Sequence, residues 1–226
     1  MSINKKDLER RSLTFEVRTA QNEQGENIIT GRPVVYGQKV NISGLFYEVI
    51  ERGALDETDL RDIPFILNHD LVRLPYARSR NNNANSTMHF TRSSDGLDLD
   101  WIKLDTERNV ESKALFSAVD RRDIDSMSFS FSVREEWWED LDTNMPTRHI
   151  TKIKRIYEVS AVTWAAYSDT TIDVARSSLE LESAKATLEN ARKRAKLLPE
   201  GNEQRQLELI KLKTLIKHNH RKENEL

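Results

Sequence analysis

The chain has 226 residues and a formal net charge of −2, which argues against bulk electrostatic attraction to nucleic acid or to anionic membranes. It contains no cysteine, so disulfides, thiolate metal sites and cysteine nucleophiles are excluded. The first residues lack the apolar segment of a secretory signal, and no apolar run approaches the roughly 18 residues that span a bilayer. We therefore expect a soluble intracellular protein.

Most predicted elements before the last fifty residues are strands. A helix is predicted from an N-cap at Thr106 to about Asp120, with Val110 and Leu115 on one face. About seven or eight strands with two short helices favour a mainly β fold of the α+β class, and a small closed or nearly closed antiparallel barrel. The apolar or alternating stretches that predict strands are 12–18, 28–36, 46–50, 64–70, 126–133 and 150–164, and the stretch 88–101 predicts a hairpin.

The composition changes near residue 177, where Leu, Ala, Glu, Lys and Arg become dominant. Two helices with apolar stripes are predicted there, at about 178–197 and 203–219. We therefore divide the chain into a β domain, 1–176, and a helical tail, 177–226. The tail has 11 Lys or Arg, 8 Asp or Glu and no aromatic residue, so we favour a hairpin that packs on a partner or on itself over a nucleic-acid arm.

The most informative stretch alternates serine with apolar residues. Serines stand at every second position from Ser126 to Ser132, and apolar residues from Met127 to Val133 fill the gaps. A strand with this pattern has one apolar face and one hydroxyl face. Serine has low strand propensity, so four on one face need a reason. A nucleophile held on a rigid strand is one reason, although serine is also common on an exposed strand face.

A serine hydroxyl needs an adjacent base, usually histidine, and a third group that fixes the histidine tautomer. His69 ends an apolar strand, and functional side chains often lie at such positions. Glu158 is an acid in an otherwise apolar strand, and His149 competes for the third role. Spacing alone does not decide whether these residues are catalytic or are ordinary surface residues.

Four blocks of sequence, in order, resemble the prohead (procapsid) serine proteases of tailed bacteriophages. No single block is specific, but their order and spacing together carry the resemblance, which covers about residues 12–176. The blocks are Glu48–Leu55, Leu67–Asp70 with Leu74–Arg78, Asp125–Phe131 and Tyr157–Thr163.

The resemblance implies roles for particular residues. His69 would be the general base, Ser128 the nucleophile and Glu158 the group that orients His69. The similar herpesvirus assembly protease, assemblin, has a second histidine in third place, so His149 is the alternative. The resemblance also implies the fold of that protease, a small β-barrel with helices around it.

The oxyanion region and the substrate cleft are expected near three further residues. The family usually has glycine where Ser130 stands, so this side chain would narrow the oxyanion region or donate a hydrogen bond there. Ala165 and Ala166 follow the strand of Glu158, and we expect their backbone N–H groups to meet the oxyanion.

The function implied is a serine endopeptidase that cleaves the internal scaffold, or a scaffold-like extension of the coat protein, and itself during procapsid maturation. The expected partners are the scaffold, the major capsid protein and further copies of the chain, as a dimer or higher oligomer. We expect no cofactor, metal, nucleic acid or membrane. The protein would act in the host cytoplasm, inside the assembling procapsid, and its tail would target it to the scaffold or be removed by self-cleavage.

The sequence leaves two other functions as alternatives. One is a non-catalytic capsid-assembly or scaffolding protein that retains the protease fold. The other is an unrelated nucleic-acid-binding barrel, which the acidic balance of the first 176 residues disfavours.

Overall fold

The computed structural model of the chain describes residues 8–13, 17–163 and 177–196. This part of the chain is mostly β with two helices, an α+β fold. Its elements are β1 (Glu9–Leu13), β2 (Arg18–Gln21), β3 (Asn27–Val35), β4 (Val40–Ile42), β5 (Phe46–Ile50), β6 (Ile63–Leu67), β7 (Ala77–Ser79), β8 (Met88–Arg92), β9 (Gly96–Lys103), α1 (Val110–Asp120), β10 (Ser126–Glu139), β11 (Thr147–Val162) and α2 (Ser177–Lys196).

The described strands form two sheets. The larger sheet has the order β1-β10-β11-β5-β4, with β6 also paired to β11 and β7 paired to β6. The smaller sheet has the order β2-β3-β9-β8. Neither sheet closes on itself among these strands, and β5 and β6 pair parallel with β11, so the closed antiparallel barrel expected from the sequence is not confirmed. Alternation along one strand reveals its faces but not its partners, and the same strand count suits open and closed sheets.

Strand β10 lies between β1 and β11 in the larger sheet and separates two buried layers. Met127 and Phe129 on its apolar face belong to the main hydrophobic core. The hydroxyl face, from Ser126 to Ser132, is buried as well. The serines therefore form an internal polar layer, in which each hydroxyl needs a hydrogen-bond partner.

Helix α1 begins later than the sequence predicted. Its N-cap is Asn109, whose side chain accepts hydrogen bonds from the backbone N–H groups of Glu111 and Ser112. Val110, expected on the apolar face, is 82% exposed, whereas Leu115 is buried. The predicted N-cap at position 106 was wrong because a second good capping side chain follows three residues later.

The contacts divide the chain into two units, Met1–Leu188 and Glu189–Leu226. A helix, α2, lies where the first tail helix was predicted, at 178–197, and it crosses the boundary between the units. The second predicted helix, 203–219, lies outside the described residues, and the domain boundary at 176 stays a prediction. No described helix combines the length and the apolar content needed to cross a membrane.

Within the first unit, helix α2 contributes to a small second core. Ala184 and Leu188 are buried in one cluster with Ile42 of β4 and Phe46 of β5. These helix residues are four positions apart and so lie on one helical face, which is the apolar stripe seen in the sequence. This end of the predicted tail is therefore packed on the β fold.

Candidate active site

His69 lies in a strained turn directly after β6. Asn68 and His69 both have left-handed backbone conformations, with φ of 56° and 59°. Such a conformation costs about 1–3 kcal/mol for a residue other than glycine, and it persists only where the surroundings enforce it. Asn tolerates this conformation, so it is the strained histidine at the end of β6 that marks the turn as a candidate functional site.

Hydrogen bonds to the end of β11 hold this turn in place. The N–H of Asn68 donates to Ala161 O at 2.8 Å. The side-chain Oδ1 of Asn68 accepts from the N–H of Thr163 at 3.1 Å and from its hydroxyl at 3.0 Å. The N–H of His69 donates to Ser160 Oγ at 3.2 Å. These bonds fix the imidazole of His69 over the last residues of β11.

The His69 ring contacts the buried carboxylate of Glu158. His69 Nδ1 lies 2.7 Å from Glu158 Oε1. The Ser130 hydroxyl donates to the same oxygen, and the Ser160 hydroxyl donates to Oε2. Burial raises the pKa of Glu158, but its hydrogen bond to His69, the His69 charge and the two hydroxyls together bring that pKa below its ordinary value. Glu158 is therefore an ionised acceptor near neutral pH.

An ionised Glu158 fixes the state of the imidazole. Since the carboxylate can only accept, Nδ1 carries a proton, and in the neutral imidazole Nε2 keeps its lone pair. Nε2 of His69 is buried and has no hydrogen-bond partner among the residues that the structure describes. A neutral imidazole with a free Nε2 is suited to accept a proton from a nearby hydroxyl.

Ser128 lies on the same face of the sheet as these groups. In the antiparallel register, Ser128 stands opposite Ser160, and Ser130 stands opposite Glu158. The Ser128 side chain is fully buried, and its hydroxyl donates to the backbone oxygen of Arg11 at 3.0 Å. The fold thus brings Ser128 next to the partners of His69, while its hydroxyl is bonded to strand β1.

His149 lies elsewhere on β11. Its Nδ1 is 2.6 Å from Glu51 Oε1, and its ring stacks on Trp137 with centroids 3.8 Å apart. Positions 149 and 158 are nine residues apart along one strand, a distance of about 30 Å at the usual rise. The structure therefore places His69 against Glu158 and away from His149.

Three further residues were predicted to lie at the oxyanion region or the substrate cleft, and the structure describes one of them. The sequence placed Ser130 near the oxyanion, but its hydroxyl is bonded to Glu158. Ala165 and Ala166 lie outside the described residues. Ser160 was missed, although it follows Glu158 by two positions in a strand and so shares its face. That alternation was the signal available in the sequence.

The arrangement supports proton transfer beside a hydroxyl group. A carboxylate, an imidazole and a serine on one buried sheet face are the groups required for acyl transfer to serine. In the described part of the chain, no group of three or more His, Asp and Glu side chains could hold a metal ion.

A family model described as caudovirus prohead serine protease matches residues 12–185. The match covers well over half of the chain and includes His69, Ser128 and Glu158. No curated protein and no solved structure matches the chain.

Proposed function

Because the chain belongs to the caudovirus prohead serine proteases, a family whose role is proteolysis in capsid maturation, we propose that it is a serine endopeptidase with Ser128 as nucleophile. His69 is the general base in this proposal, and Glu158 orients it. The observation that carries the assignment is the His69–Glu158 pair, with a free Nε2, on the sheet face that also holds Ser128.

The proposed reaction has two half-steps. Ser128 Oγ attacks the carbonyl carbon of the substrate while His69 Nε2 takes the hydroxyl proton, and the same nitrogen then protonates the leaving amine. Water hydrolyses the acyl-enzyme by the reverse proton path. Glu158 stabilises the imidazolium that forms in each step and keeps the productive tautomer between them.

The proposed substrates are the internal scaffold, or a scaffold-like extension of the coat protein, and the protease itself. Cleavage inside the procapsid, in the host cytoplasm, would empty the shell before DNA enters. Scaffold, major capsid protein and further copies of this chain are the proposed partners. Because Ala184 and Leu188 of the first tail helix pack on the β fold, the tail would bind scaffold through the second apolar stripe, predicted at 203–219.

Co-expression with the capsid proteins of the same phage tests the proposal. Ser128→Ala and His69→Ala should each abolish truncation of the scaffold, because loss of either group lowers the rate by about 1,000-fold or more. Ser126→Ala is the matched control, since Ser126 lies on the same strand face and its hydroxyl donates to Asp125. Cleavage by a clean Ser128→Ala preparation would refute the assignment.

One observation favours a second candidate, a non-catalytic assembly protein with the protease fold. Ser128 is buried, and its hydroxyl is bonded to the Arg11 carbonyl. A fluorophosphonate probe distinguishes the two functions, because a protease is labelled at Ser128 and a scaffold is not. Peptide mapping of the labelled site, with Ser128→Ala as control, gives the answer.

A further inference from the structure

Strand β1 lies along the edge of the proposed nucleophile strand. Residues Glu9–Leu13 pair antiparallel with β10, and Ser12 stands opposite Ser128. Among the described strands, β10 is the sole neighbour of β1. Without β1, this edge of β10 would be free beside Ser128, and a free strand edge binds extended peptides through main-chain hydrogen bonds.

The main chain of β1 covers Ser128. The Ser128 side chain is fully buried, and its Oγ lies 3.0 Å from Arg11 O. A substrate carbonyl must approach a nucleophile to about 3–3.5 Å before reaction. The 3.0 Å contact joins Ser128 Oγ to the oxygen of Arg11 and not to its carbon, but it places that carbonyl beside the nucleophile, so a second peptide cannot occupy the same place while β1 is paired.

The side chain of Arg11 is bound by a buried carboxylate. Its Nε donates to one oxygen of Glu48, and its Nη2 donates to the other at 2.6 Å. Each of the two side chains is 4% exposed, and the guanidinium carbon lies 5.5 Å from the centroid of the Phe131 ring. This fork-to-fork geometry is specific for arginine, since a lysine ammonium cannot reproduce the two parallel bonds.

A second side chain of β1, that of Glu9, is also bound by a buried side chain. Glu9 accepts hydrogen bonds from Arg148, which also binds Glu48 and Glu136. Burial raises the pKa of Glu9, but Arg148 and then Arg11 lower it to about 2. Without the residues of β1, the cluster consists of the carboxylates of Glu48 and Glu136 and the guanidinium of Arg148. Its net negative charge favours a peptide that brings a cation.

We propose that the edge of β10 and the Glu48–Arg148 pair form the substrate groove, and that β1 occupies this groove intramolecularly. The groove takes an extended peptide with an acidic residue two positions before an arginine. The cleaved bond follows that arginine: Ser128 Oγ bonds to its carbonyl carbon, the C–N bond breaks, and His69 carries the hydroxyl proton to the leaving amine. This inference rests on the proposed protease function, and it makes β1 a competitor of the substrate.

A quenched fluorogenic peptide with the sequence of residues 7–14 tests the specificity on the unaltered full chain. We expect cleavage after the residue that corresponds to Arg11, located by mass spectrometry of the products. Glutamine at that position should lower kcat/KM by about 30-fold or more, as expected when a buried charge pair loses one partner. Glutamine at the Arg10 position changes peptide charge equally and is the matched control. Equal losses at the two positions would overturn the proposed arginine site.

Variants of the full chain test whether β1 competes with the peptide substrate for the groove. Arg11→Gln weakens β1 in the groove and should raise kcat/KM for the arginine peptide by about 10-fold or more over Arg10→Gln. Glu48→Gln removes the partner of both Arg11 and the substrate arginine, so it should reduce the preference for the arginine peptide over the glutamine peptide by about 10-fold or more. If Glu48→Gln does not fold, the peptide comparison on the unaltered chain still decides the specificity. No gain in Arg11→Gln would contradict the competition.

A reversible disulfide between β1 and β10 tests the role of β1 independently. Leu13 and Met127 are register partners across β1 and β10. Because the chain has no native cysteine, Leu13→Cys with Met127→Cys can form a single disulfide that holds β1 in place. The oxidised protein should be inactive toward added peptide and recover on reduction. An active oxidised form would refute the role of β1.

Peptide binding separates failure of this inference from failure of the proposed function. Ser128→Ala protein and labelled peptides are compared by fluorescence anisotropy, with Arg11→Gln in the same chain to open the groove. Preference for arginine without any cleavage by the parent chain would support the groove and exclude the protease function. Cleavage without that preference would exclude the groove and leave the protease function standing.

Discussion

Replacement of Glu158 by glutamine is the sharpest test of how the site works. The carboxylate accepts hydrogen bonds from His69, Ser130 and Ser160, and glutamine supplies one acceptor oxygen and a donor amide in the same volume. If the amide N–H faces His69 Nδ1, the imidazole proton moves to Nε2, which can then no longer accept the Ser128 proton. The Ser160 and Ser130 hydroxyls can rotate to suit the amide, so the fold should be retained.

The expected loss of kcat follows from the change of the imidazole tautomer. In serine proteases with an acid–histidine–serine triad, an amide in place of the acid lowers kcat by about 10,000-fold. We therefore expect Glu158→Gln to lower kcat by about 1,000-fold to 10,000-fold, or roughly 4–5.5 kcal/mol of transition-state stabilisation. Single-turnover cleavage of the fluorogenic peptide measures this effect, and thermal unfolding verifies that the protein is folded.

His149→Ala is the control for this experiment, because His149 is a titratable side chain on the same strand that contacts Glu51 instead. We expect its activity to stay within about threefold of the unaltered protein, as for a residue that does not touch the reacting groups. A folded Glu158→Gln protein with more than a tenth of the original activity would refute the reasoning. The reverse pattern would give the third role to His149.

Three further predictions concern pH and packing. Ser130→Ala removes a donor that lowers the pKa of Glu158, so the acid limb of the pH–kcat profile should move to higher pH; an unmoved limb would contradict this contact. Glu9, whose pKa is lowered from 4.5 to about 2, stabilises the fold above its ordinary pKa, and that contribution is lost as pH falls toward 2. Urea unfolding from pH 7 to 2 should therefore show a smaller pH dependence in Glu9→Gln, and equal slopes would count against the buried cluster. Leu188→Ala should lower the free energy of unfolding by about 2 kcal/mol, the loss for a buried leucine, whereas Glu189→Ala should change it little in the same urea titration.

Strand β10 could be predicted from the sequence because alternation is a local property. Each side chain from Ser126 to Ser132 is assigned to a face by its position alone. The pairing of Glu158 with His69 could not be derived in this way, and its expectation rested on the family resemblance. Local pattern also did not predict that the hydroxyl face is buried, since burial depends on the strands and turns that cover it.

The features that the sequence did not reveal depend on distant pairing. The cluster of Arg11 with Glu48 and Arg148 joins three strands that are far apart in the chain. The left-handed backbone at His69 is enforced by hydrogen bonds to β11, whereas a bulky residue by itself avoids that conformation. A local pattern therefore assigns side chains to the two faces of a strand, but it does not predict which distant residues cover them.

The register of β10 and β11 bears on how the chain can change length over evolution. Ser126–Ser130 pair with Glu158–Val162 without interruption, and every irregularity of the ladder falls after Ser130. One inserted or deleted residue in the regular segment would turn the serine and glutamate side chains to the opposite face of the sheet. The bulged segment beyond it can absorb such a change, because its register is already broken. Insertions and deletions should therefore accumulate in the outer half of this hairpin and be absent from its inner half.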